Sequence, residues 1–486
     1  MRIQIQIYLF LIQKRAGMLE YAEKIASPTR KREPIASARG HEHSGLAAAM
    51  PFLVLGAIAI VGIFIPVVAD FPGQSAYNVA DIVWMLIASA LVLLMTPGLS
   101  FFYGGMVSKK NVISTMLQSF IATGLMSVLW VVCGFSLAFG TSWHGLIGNP
   151  LSFAFFHGIN GHAPTLGVNG QIVLTIPLLL YALFQMKFAI ITPALVVGAT
   201  AERIRFTAYV LFMILFSLFV YAPLAHWTWY PDGILYKMGV LDFAGGTVVH
   251  ISAGCAALAG ALVLKPRKVH QYGEPTKPAR ITYVLLGTGL LWFGWFGFNA
   301  GSALTASPLA VSAFATTNTA SAAAGLAWIF FDALRGRKPS ALGFCIGAVV
   351  GLVAITPAAG FVGIPQSIFI GFAAAVISNL AVHWKSKTSI DDTLDVFPCH
   401  GIGGMVGMLL TGVFASKQIN PAGNDGLWYG GTSFFLHQVL GMCIAVAYAF
   451  SVSWALFKLI NWLYPLRVRD EDEEIGLDIS QHDESL

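Results

Sequence analysis

The chain has 486 residues, of which 56% are hydrophobic and only 10% are charged. A soluble globular chain carries about 25% charged residues, so this composition excludes a soluble protein and indicates one that uses lipid as its solvent. The formal net charge of +5 therefore concerns the orientation of loops and does not indicate nucleic-acid binding.

Residues 1–70 are predicted to be a basic leader that contains a signal peptide. Eight of the 28 Lys and Arg residues lie in residues 1–40, and the apolar run 45–68 ends in the small residues VVAD. A basic segment, an apolar segment and a small-residue end are typical of a secretory signal peptide, and we predict cleavage near Ala69. Because the apolar run is long for that role, an uncleaved first helix is the alternative.

A membrane domain is predicted over residues 80–462, followed by a soluble tail at 463–486. Each of its apolar spans is long enough to cross a bilayer at about 20 residues. Eleven spans are predicted, at 80–103, 112–139, 172–197, 205–224, 243–264, 281–303, 308–332, 341–357, 365–384, 399–415 and 432–462. The predicted fold is an all-α polytopic membrane protein with eleven transmembrane helices and a long final helix.

The basic residues of the loops predict the orientation. If alternate loops are cytoplasmic, the opposite loops hold only Lys237 and Lys417. The cytoplasmic loops and the tail then hold Lys109, Lys110, Arg203, Arg205, Lys265, Arg267, Lys268, Lys277, Arg280, Arg335, Arg337, Lys338, Lys385, Lys387, Arg467 and Arg469. Cytoplasmic loops collect basic residues, so the mature N-terminus is expected outside and the C-terminus in the cytoplasm.

Two halves of five spans, plus the final span, predict an inverted repeat. An odd number of spans per half inverts the second half relative to the first, which is an arrangement of transporters with a central substrate site. The fifth span of each half carries an acid and a histidine, as Asp242 with His250 and as Asp395 with His400. Ionisable residues inside apolar spans are functional candidates, so we expect the two histidines to meet.

These stretches resemble the Amt/Mep/Rh ammonium transporter family, on its bacterial Amt side. The matching segments are MTPGLSFFYGGMVSKKNV (95–112), FQMKFAIITPALVVGATAERIRF (184–206), LDFAGGTVVHISAG (241–254), GWFGFNAGSA (294–303), ITPAAGFVG (355–363), DDTLDVFPCHGIGG (391–404) and LRVRDEDEEIGLDIS (466–480). The resemblance extends from about residue 80 to 480 and leaves out the leader.

The resemblance implies an ammonium site with named residues. Phe184, Phe188, Trp229 and Ser302 are implied to form an outer vestibule that binds NH4+, and Phe188 is implied to stack on Phe298 as a gate. The loop is one residue longer than in the relative considered, so Trp227 is the alternative to Trp229.

The resemblance also implies roles inside the pore. His250 and His400 are implied to share a hydrogen bond there, and Asp242 to support recruitment of the cation. We interpret Asp242 as mainly structural, as a possible helix N-cap with an electrostatic effect on the vestibule, and Asp395 as structural. Lys187 is unexplained by this pattern and is expected to snorkel or to pair away from the pore.

The chemistry of these residues suits an ammonium transporter that passes ammonia. Aromatic rings attract a cation by about 0.5–2 kcal/mol each, and the Ser302 hydroxyl can accept one N–H. A dry apolar pore excludes an intact cation but admits NH3, and neutral imidazoles can both donate and accept a proton. We expect deprotonation at the vestibule, conduction of NH3, and relay of the proton across His250 and His400, which gives net NH4+ uptake.

Three other functions remain open at this stage. A Rhesus-type channel for a neutral gas, NH3 or CO2, would not need the cation cage of Trp229 and Ser302. A non-transporting ammonium sensor is compatible with the same residues. An intramembrane enzyme that uses Cys399 and His400 is disfavoured, because neighbouring residues face different sides of a helix and no metal-binding motif is present. No cofactor, no metal and no nucleic-acid partner are expected.

The resemblance further implies location and partners. It implies a multi-pass protein of the bacterial inner membrane that assembles as a homotrimer and serves nitrogen utilisation. The acidic tail is implied to dock on the cytoplasmic face, where a PII-type signalling protein can bind.

Overall fold

The computed structural model describes residues 45–66, 77–159, 165–167, 170–273 and 276–486. Its contacts divide the chain into two units, with the boundary between residues 65 and 66. The described part of the first unit contains one 19-residue apolar helix, α1 (Gly45–Ile63). The predicted basic leader 1–40 and the predicted cleavage point at Ala69 lie outside the described residues.

The second unit is a bundle of helices, most of which are apolar. The helices are α2 (Val79–Met106), α3 (Val112–Leu129), α4 (Phe135–Phe139), α5 (Leu178–Thr200), α6 (Phe206–Phe216), α7 (Ala222–Trp229), α8 (Ile234–Lys237), α9 (Ser252–Leu264), α10 (Lys268–Gln271), α11 (Ile281–Gly301), α12 (Pro308–Leu334), α13 (Ala341–Ile355), α14 (Ile364–Lys385), α15 (Gly403–Phe414), α16 (Thr432–Leu463), α17 (Asp470–Ile475) and α18 (Leu477–His482). Four π-helical segments join or begin some of them, at Trp130–Gly134, Ser217–Tyr221, Gly246–Ile251 and Phe397–Ile402.

Nine helical segments of the described chain are long and apolar enough to cross a membrane. They are Val79–Met106, Lys109–Phe139, Leu178–Thr200, Phe206–Lys237, Gly246–Leu264, Ile281–Gly301, Ile364–Lys385, Phe397–Phe414 and Thr432–Leu463. The chain is thus a mainly helical multi-pass membrane protein, and its last span, α16, runs for 32 residues.

The two other predicted spans fall on α12 and α13. Helix α12 has 27 residues, but Ser, Thr and Asn residues interrupt its apolar sequence. Helix α13 has only 15 residues. At about 1.5 Å per residue, α13 covers about 22 Å of a hydrocarbon core of about 30 Å. The chain then continues through buried turns at 356–362, where irregular backbone is tolerated because protein surrounds it.

Two short antiparallel hairpins lie in the long connection between α4 and α5. Strand β1 (Ser142–Trp143) pairs with β2 (Ile147–Gly148), and β3 (Thr165–Leu166) pairs with β4 (Ile172–Val173). Two-residue strands give no closed sheet, and the site described below is built on helices and on the irregular segments that precede or follow them.

Small residues bring α2 and α11 into backbone contact. A Cβ on Gly287 would lie 2.4 Å from the backbone N of Phe102, and one on Gly297 would lie 2.7 Å from the backbone O of Ala88. Close approach of this kind is how helices pack in lipid, where the hydrophobic effect does not drive them together. It holds α11, which carries Phe298, against the middle of the bundle.

The acidic tail packs against the membrane domain. The Asp478 carboxylate accepts a hydrogen bond from the backbone N of Ser114 at 2.8 Å, and the backbone N of Leu477 donates to Asn111 Oδ1 at 2.7 Å. Lys110 Nζ donates to the backbone O of Glu474 at 2.6 Å. We call this end of the bundle the tail face, and it includes the loops at 107–111, 201–205, 265–273, 276–280 and 386–395.

A buried ionic cluster, Glu202, Arg203, Arg267 and Asp391, joins three loops at the tail face. The Arg267 guanidinium binds both carboxylate oxygens of Asp391 at 2.8 Å and Glu202 Oε2 at 2.5 Å. Arg203 donates to the backbone O of Asp391. Burial alone would raise the pKa of the Asp391 carboxyl, but hydrogen bonds from Arg267 and the charge of Arg203 hold that pKa well below its usual range.

Candidate functional site

Asp242 begins the π-helical segment that carries His250. Its carboxylate accepts hydrogen bonds from the backbone N atoms of Gly245, Gly246 and Thr247 at 2.6–2.7 Å, and from the Thr247 hydroxyl at 2.5 Å. Gly245 has a φ of +122°, which suits glycine. The carboxylate therefore satisfies N–H groups at the start of a helix, as an N-cap does.

The second histidine segment, Phe397–Ile402, begins in the same way, but with Asp392. The Asp392 carboxylate accepts hydrogen bonds from the backbone N of Val396 at 3.0 Å and of Phe397 at 2.7 Å. The acid lies eight residues before the histidine in both segments, and it caps the fourth and fifth residues after itself in both. The sequence pattern predicts Asp395 as the counterpart of Asp242, but this prediction is wrong for the cap, which Asp392 provides.

Asp395 has a different set of contacts. Its carboxylate lies 2.6 Å from Lys385 Nζ, which also donates to the backbone O of Asp392 at 2.5 Å. Asp395 adopts a φ of +59°, which an aspartate tolerates better than most residues. The pair therefore fixes the turn from which the His400 segment starts.

His250 and His400 meet in the interior of the bundle. Their Nδ1 atoms lie 3.3 Å apart, and the residues are 1% and 3% exposed. For a shared hydrogen bond, one Nδ1 carries the proton and the other accepts it. The His250 ring also stacks on Trp295 at 5.3 Å between centroids, so it is held between an imidazole and an indole.

The histidines can meet because two glycines let their helices touch. A Cβ on Gly254 would lie 2.2 Å from the backbone N of Gly401 and 2.3 Å from its Cα. Backbone atoms cannot move aside as a flexible side chain can, so any larger residue at position 254 must push the two segments apart.

The Gly254→Ala variant is expected to be less stable by about 1–3 kcal/mol, as overpacked cores are, and to conduct less because the Nδ1 atoms separate. Thermal unfolding in detergent measures the first effect. The Gly124→Ala variant is the control, because a Cβ at Gly124 on α3 meets nothing within 4 Å. Equal stability of the two variants would contradict the helix contact.

An aromatic cluster lies beside the histidines. The rings of Phe188 and Phe298 lie against each other with centroids 4.2 Å apart and planes tilted by 34°, and Phe188 contacts Phe184 at 4.9 Å and Trp229 at 5.9 Å. The Phe298 ring lies 6.1 Å from the ring of His250. The structure thus brings Phe184, Phe188, Trp229 and Phe298 together next to the histidine pair.

Trp229 and Trp227 occupy different places. Trp229 Nε1 donates to the backbone O of Asp242 at 3.0 Å. This hydrogen bond connects the aromatic cluster to residues 239–245, the acid-bearing stretch that contains Asp242. Trp227 Nε1 donates to the backbone O of Leu146 at 2.7 Å, and its ring packs on Tyr448. Of the two tryptophans, Trp229 is therefore the one that contacts Phe188.

Ser302 and Lys187 lie at the edge of this arrangement. The Ser302 hydroxyl donates to the backbone O of Phe298 at 2.8 Å, so its own oxygen lone pairs stay available to accept from a ligand. Lys187 is half-buried, and the contact recorded for its Nζ is with Met186 Sδ at 3.7 Å. Lys187 does not line the cavities described next.

Two small cavities adjoin the histidines, and each has a volume of about 10 Å³. The first is lined by residues that include Phe298, Trp295 and both histidines, and the second by residues that include His400, Cys399 and Tyr103. A volume of this size is about what one water molecule requires. The two spaces share Phe102, Val349 and His400 in their linings, so they are neighbouring, mainly apolar cavities.

Sequence reasoning missed Asp392 and Trp295. The eight-residue spacing from acid to histidine, present at Asp242 and repeated at Asp392, could have identified the first. Trp295 lies three residues before Phe298 on α11, and that helical spacing places both side chains on one face. Among the described residues, no group of three or more His, Cys, Asp or Glu side chains could hold a metal ion.

Comparison with known proteins agrees with this architecture. Residues 83–486 match the model of the Ammonium Transporter Family. The chain is 47% identical over 411 residues to the "Putative ammonium transporter" of Methanothermobacter thermautotrophicus, which covers 84% of this chain and 98% of the relative. It is 45% identical over 408 residues to the "Ammonium transporter" of Bacillus subtilis, with coverage of 84% and 98%.

Solved structures give the same result. The crystal structure of Saccharomyces cerevisiae Mep2 superposes with a TM-score of 0.76 at 36% identity, over 82% of this chain and 89% of that one. A structure named "Sensor Amt Protein" gives 0.75 at 29% identity, over 83% and 98%. The family model matches residues 83–486, and the matches to the two transporters cover 98% of each of those chains. The chain therefore belongs to the ammonium transporter family.

Proposed function

We propose that this chain conducts ammonium across the membrane by separating it into NH3 and a proton. The observation that carries the proposal is the contact of His250 with His400, whose Nδ1 atoms lie 3.3 Å apart between mainly apolar cavities and near the contacting rings of Phe188 and Phe298. A cation at the cluster of Phe184, Phe188 and Trp229 would be attracted by the ring faces, at about 0.5–2 kcal/mol per ring. Ser302 would accept one of its N–H groups.

The intact cation would not pass the next step. The contacting rings of Phe188 and Phe298 close the way, and the cavity beside Phe298 is too small for a hydrated ion. An ion without its hydration shell is costly in apolar surroundings, whereas neutral NH3 is not. NH3 therefore crosses past the phenylalanine gate, and the proton passes separately over the histidine pair, which gives net uptake of NH4+.

Asp242 supports this site through its position. Its carboxylate is buried and engaged by backbone N–H groups, so it does not reach the ligand itself. Its backbone O accepts the hydrogen bond that orients Trp229. Its negative charge attracts a cation at the vestibule, because surroundings of low dielectric screen the charge only weakly. Asp242 thus acts mainly as a structural residue with an electrostatic effect.

The number of membrane spans, their orientation and the oligomeric state are part of the same proposal. The matching caps at Asp242 and Asp392 support eleven transmembrane helices with a five-plus-five inverted repeat, in which α12 and α13 complete the second half. The basic loops support a cytoplasmic tail face, an outside N-terminus of the mature chain and insertion in the bacterial inner membrane. We further propose a homotrimer, with the tail face as the place where a PII-type protein would bind.

Two alternatives give different results in one experiment. The likeness to a protein named as a sensor favours ammonium binding without transport, and a Rhesus-type channel would pass NH3 or CO2 without charge. Purified protein in proteoliposomes is exposed to a jump in ammonium, and the current is measured.

An ammonium-dependent current, absent after a potassium jump and from protein-free vesicles, is the expected result. Alkalinisation of the lumen without current would instead support the neutral-gas channel. Binding of ammonium without current or alkalinisation would support the sensor.

A further inference from the structure

Gln438 lies on α16, far along the chain from the aromatic cluster, and contacts the stretch that precedes Asp242. Its side chain is fully buried. Its Oε1 accepts from the backbone N of Leu241 at 2.9 Å, and its Nε2 donates to the backbone O of the same residue at 2.6 Å. One side-chain amide thereby satisfies both backbone polar groups of one residue, as a neighbouring strand would.

The contact falls where the backbone has no regular structure. Residues 239–245 lie between α8 and the π-helical segment of His250 and form neither helix nor strand. Gly441, one turn after Gln438 on the same face of α16, leaves room for Val240, since a Cβ there would lie 2.6 Å from the Val240 side chain. Helix α16 thus contacts residues 240 and 241 and holds them in position.

Asp242, the residue after Leu241, forms hydrogen bonds with two parts of the proposed site. The backbone O of Asp242 accepts the indole N–H of Trp229, and its carboxylate caps the segment of His250. A shift of Leu241 would be passed to Trp229 through one peptide unit and one hydrogen bond. Asp242 is also tied to the His250 segment by four hydrogen bonds of its own, so that connection is more robust.

We propose that Gln438 is a positioning residue for the aromatic site, where it sets the affinity for the cation by holding the stretch that carries Asp242 and orients Trp229. This inference rests on the proposed function for the meaning of the site. It makes no use of the histidine pair, so it predicts an effect on binding of the cation and little effect on its passage.

The test replaces Gln438 by methionine, which has a similar volume and cannot form either hydrogen bond. The concentration of ammonium that gives half-maximal current is expected to rise about tenfold, since a misplacement of about 1 Å can change rates by up to about a hundredfold. The maximal current per folded protein is expected to stay within about twofold. A merely structural role would lower the maximal current and leave the half-saturating concentration unchanged, and that result would overturn the proposal.

The Ser453→Ala variant is the matched control. Ser453 is a buried polar residue on α16, about four turns and therefore about 22 Å along the helix axis from Gln438. It is expected to retain the half-saturating concentration of the unmodified chain.

Hydrogen–deuterium exchange separates this inference from the proposed function. Without Gln438, the backbone amides of residues 239–245 are expected to exchange faster than in the unmodified chain or in Ser453→Ala, whatever is transported. Faster exchange in a protein that gives no ammonium current would remove the proposed function and leave the role of Gln438 in holding this stretch. Unchanged exchange would overturn the positioning role even if the current is present.

Discussion

Replacement of both His250 and His400 by alanine is expected to lower the ammonium-dependent current at least about a hundredfold, because a positioned proton-transfer group contributes about 10²- to 10⁴-fold. The two Nδ1 atoms are 3.3 Å apart, both histidines line the first cavity, and His400 also lines the second. Alanine can neither donate nor accept a proton from its side chain. The proton would then have no carrier through an otherwise apolar path, while NH3 could still cross.

The measurement is current and lumenal pH in the same proteoliposomes after an ammonium jump. Loss of current with continued alkalinisation is the expected outcome for the double variant. His437 on α16 is exposed and distant in sequence from both histidines, so His437→Ala serves as the control and should conduct normally. Equal currents in the double variant and the unmodified chain would remove the histidines from the mechanism.

The location of the site could be predicted from the sequence because its chemistry is unusual for an apolar helix. A histidine inside a membrane span stands out against Leu and Ala, and the family motifs fix which phenylalanines matter. The contact between His250 and His400 could not be read from either motif alone. It depends on Gly254 and Gly401, which allow backbone contact between segments about 150 residues apart in the chain.

The choice of acid shows where pattern reading failed. Both Asp392 and Asp395 precede His400, and the sequence pattern predicts the nearer one, Asp395, as the counterpart of Asp242. The cap depends on which carboxylate reaches the free N–H groups at the start of a helical segment, and that depends on the path of the backbone. The turn at Asp395, with its φ of +59°, directs that carboxylate to Lys385 instead.

The two tryptophans and the π-helical segments were also beyond sequence reasoning. Residues 227 and 229 are about 200° apart on a helix, so only one can face Phe188, but periodicity in an all-apolar segment does not show which. A π-helical turn inserts one extra residue and leaves the apolar pattern unchanged. Such turns often occur at functional sites, and here His250 and His400 each lie in a π-helical segment of their own.

The Asp391→Ala variant is expected to lose about 3–5 kcal/mol of stability, as proteins do when one partner of a buried ion pair is removed. Asp391 is 2% exposed and accepts three hydrogen bonds from Arg267, through the backbone N, Nε and Nη2. Without the carboxylate, the guanidinium of Arg203 would remain buried with less compensation. Thermal unfolding in detergent micelles at neutral pH measures the loss.

The control and the pH dependence make this prediction specific. Asp470 pairs with Lys268 at 3.3 Å on the same tail face, but its side chain is 65% exposed, so Asp470→Ala should cost less than about 1 kcal/mol. The lowered pKa of Asp391 in the folded chain means that its contribution is fully present above the unfolded pKa of about 3.9 and is lost as the pH falls toward the folded pKa. The stability difference between the unmodified chain and Asp391→Ala should therefore stay constant from neutral pH to about pH 5 and shrink below about pH 4. A difference that grows on acidification would contradict the role of the carboxylate as a buried anion.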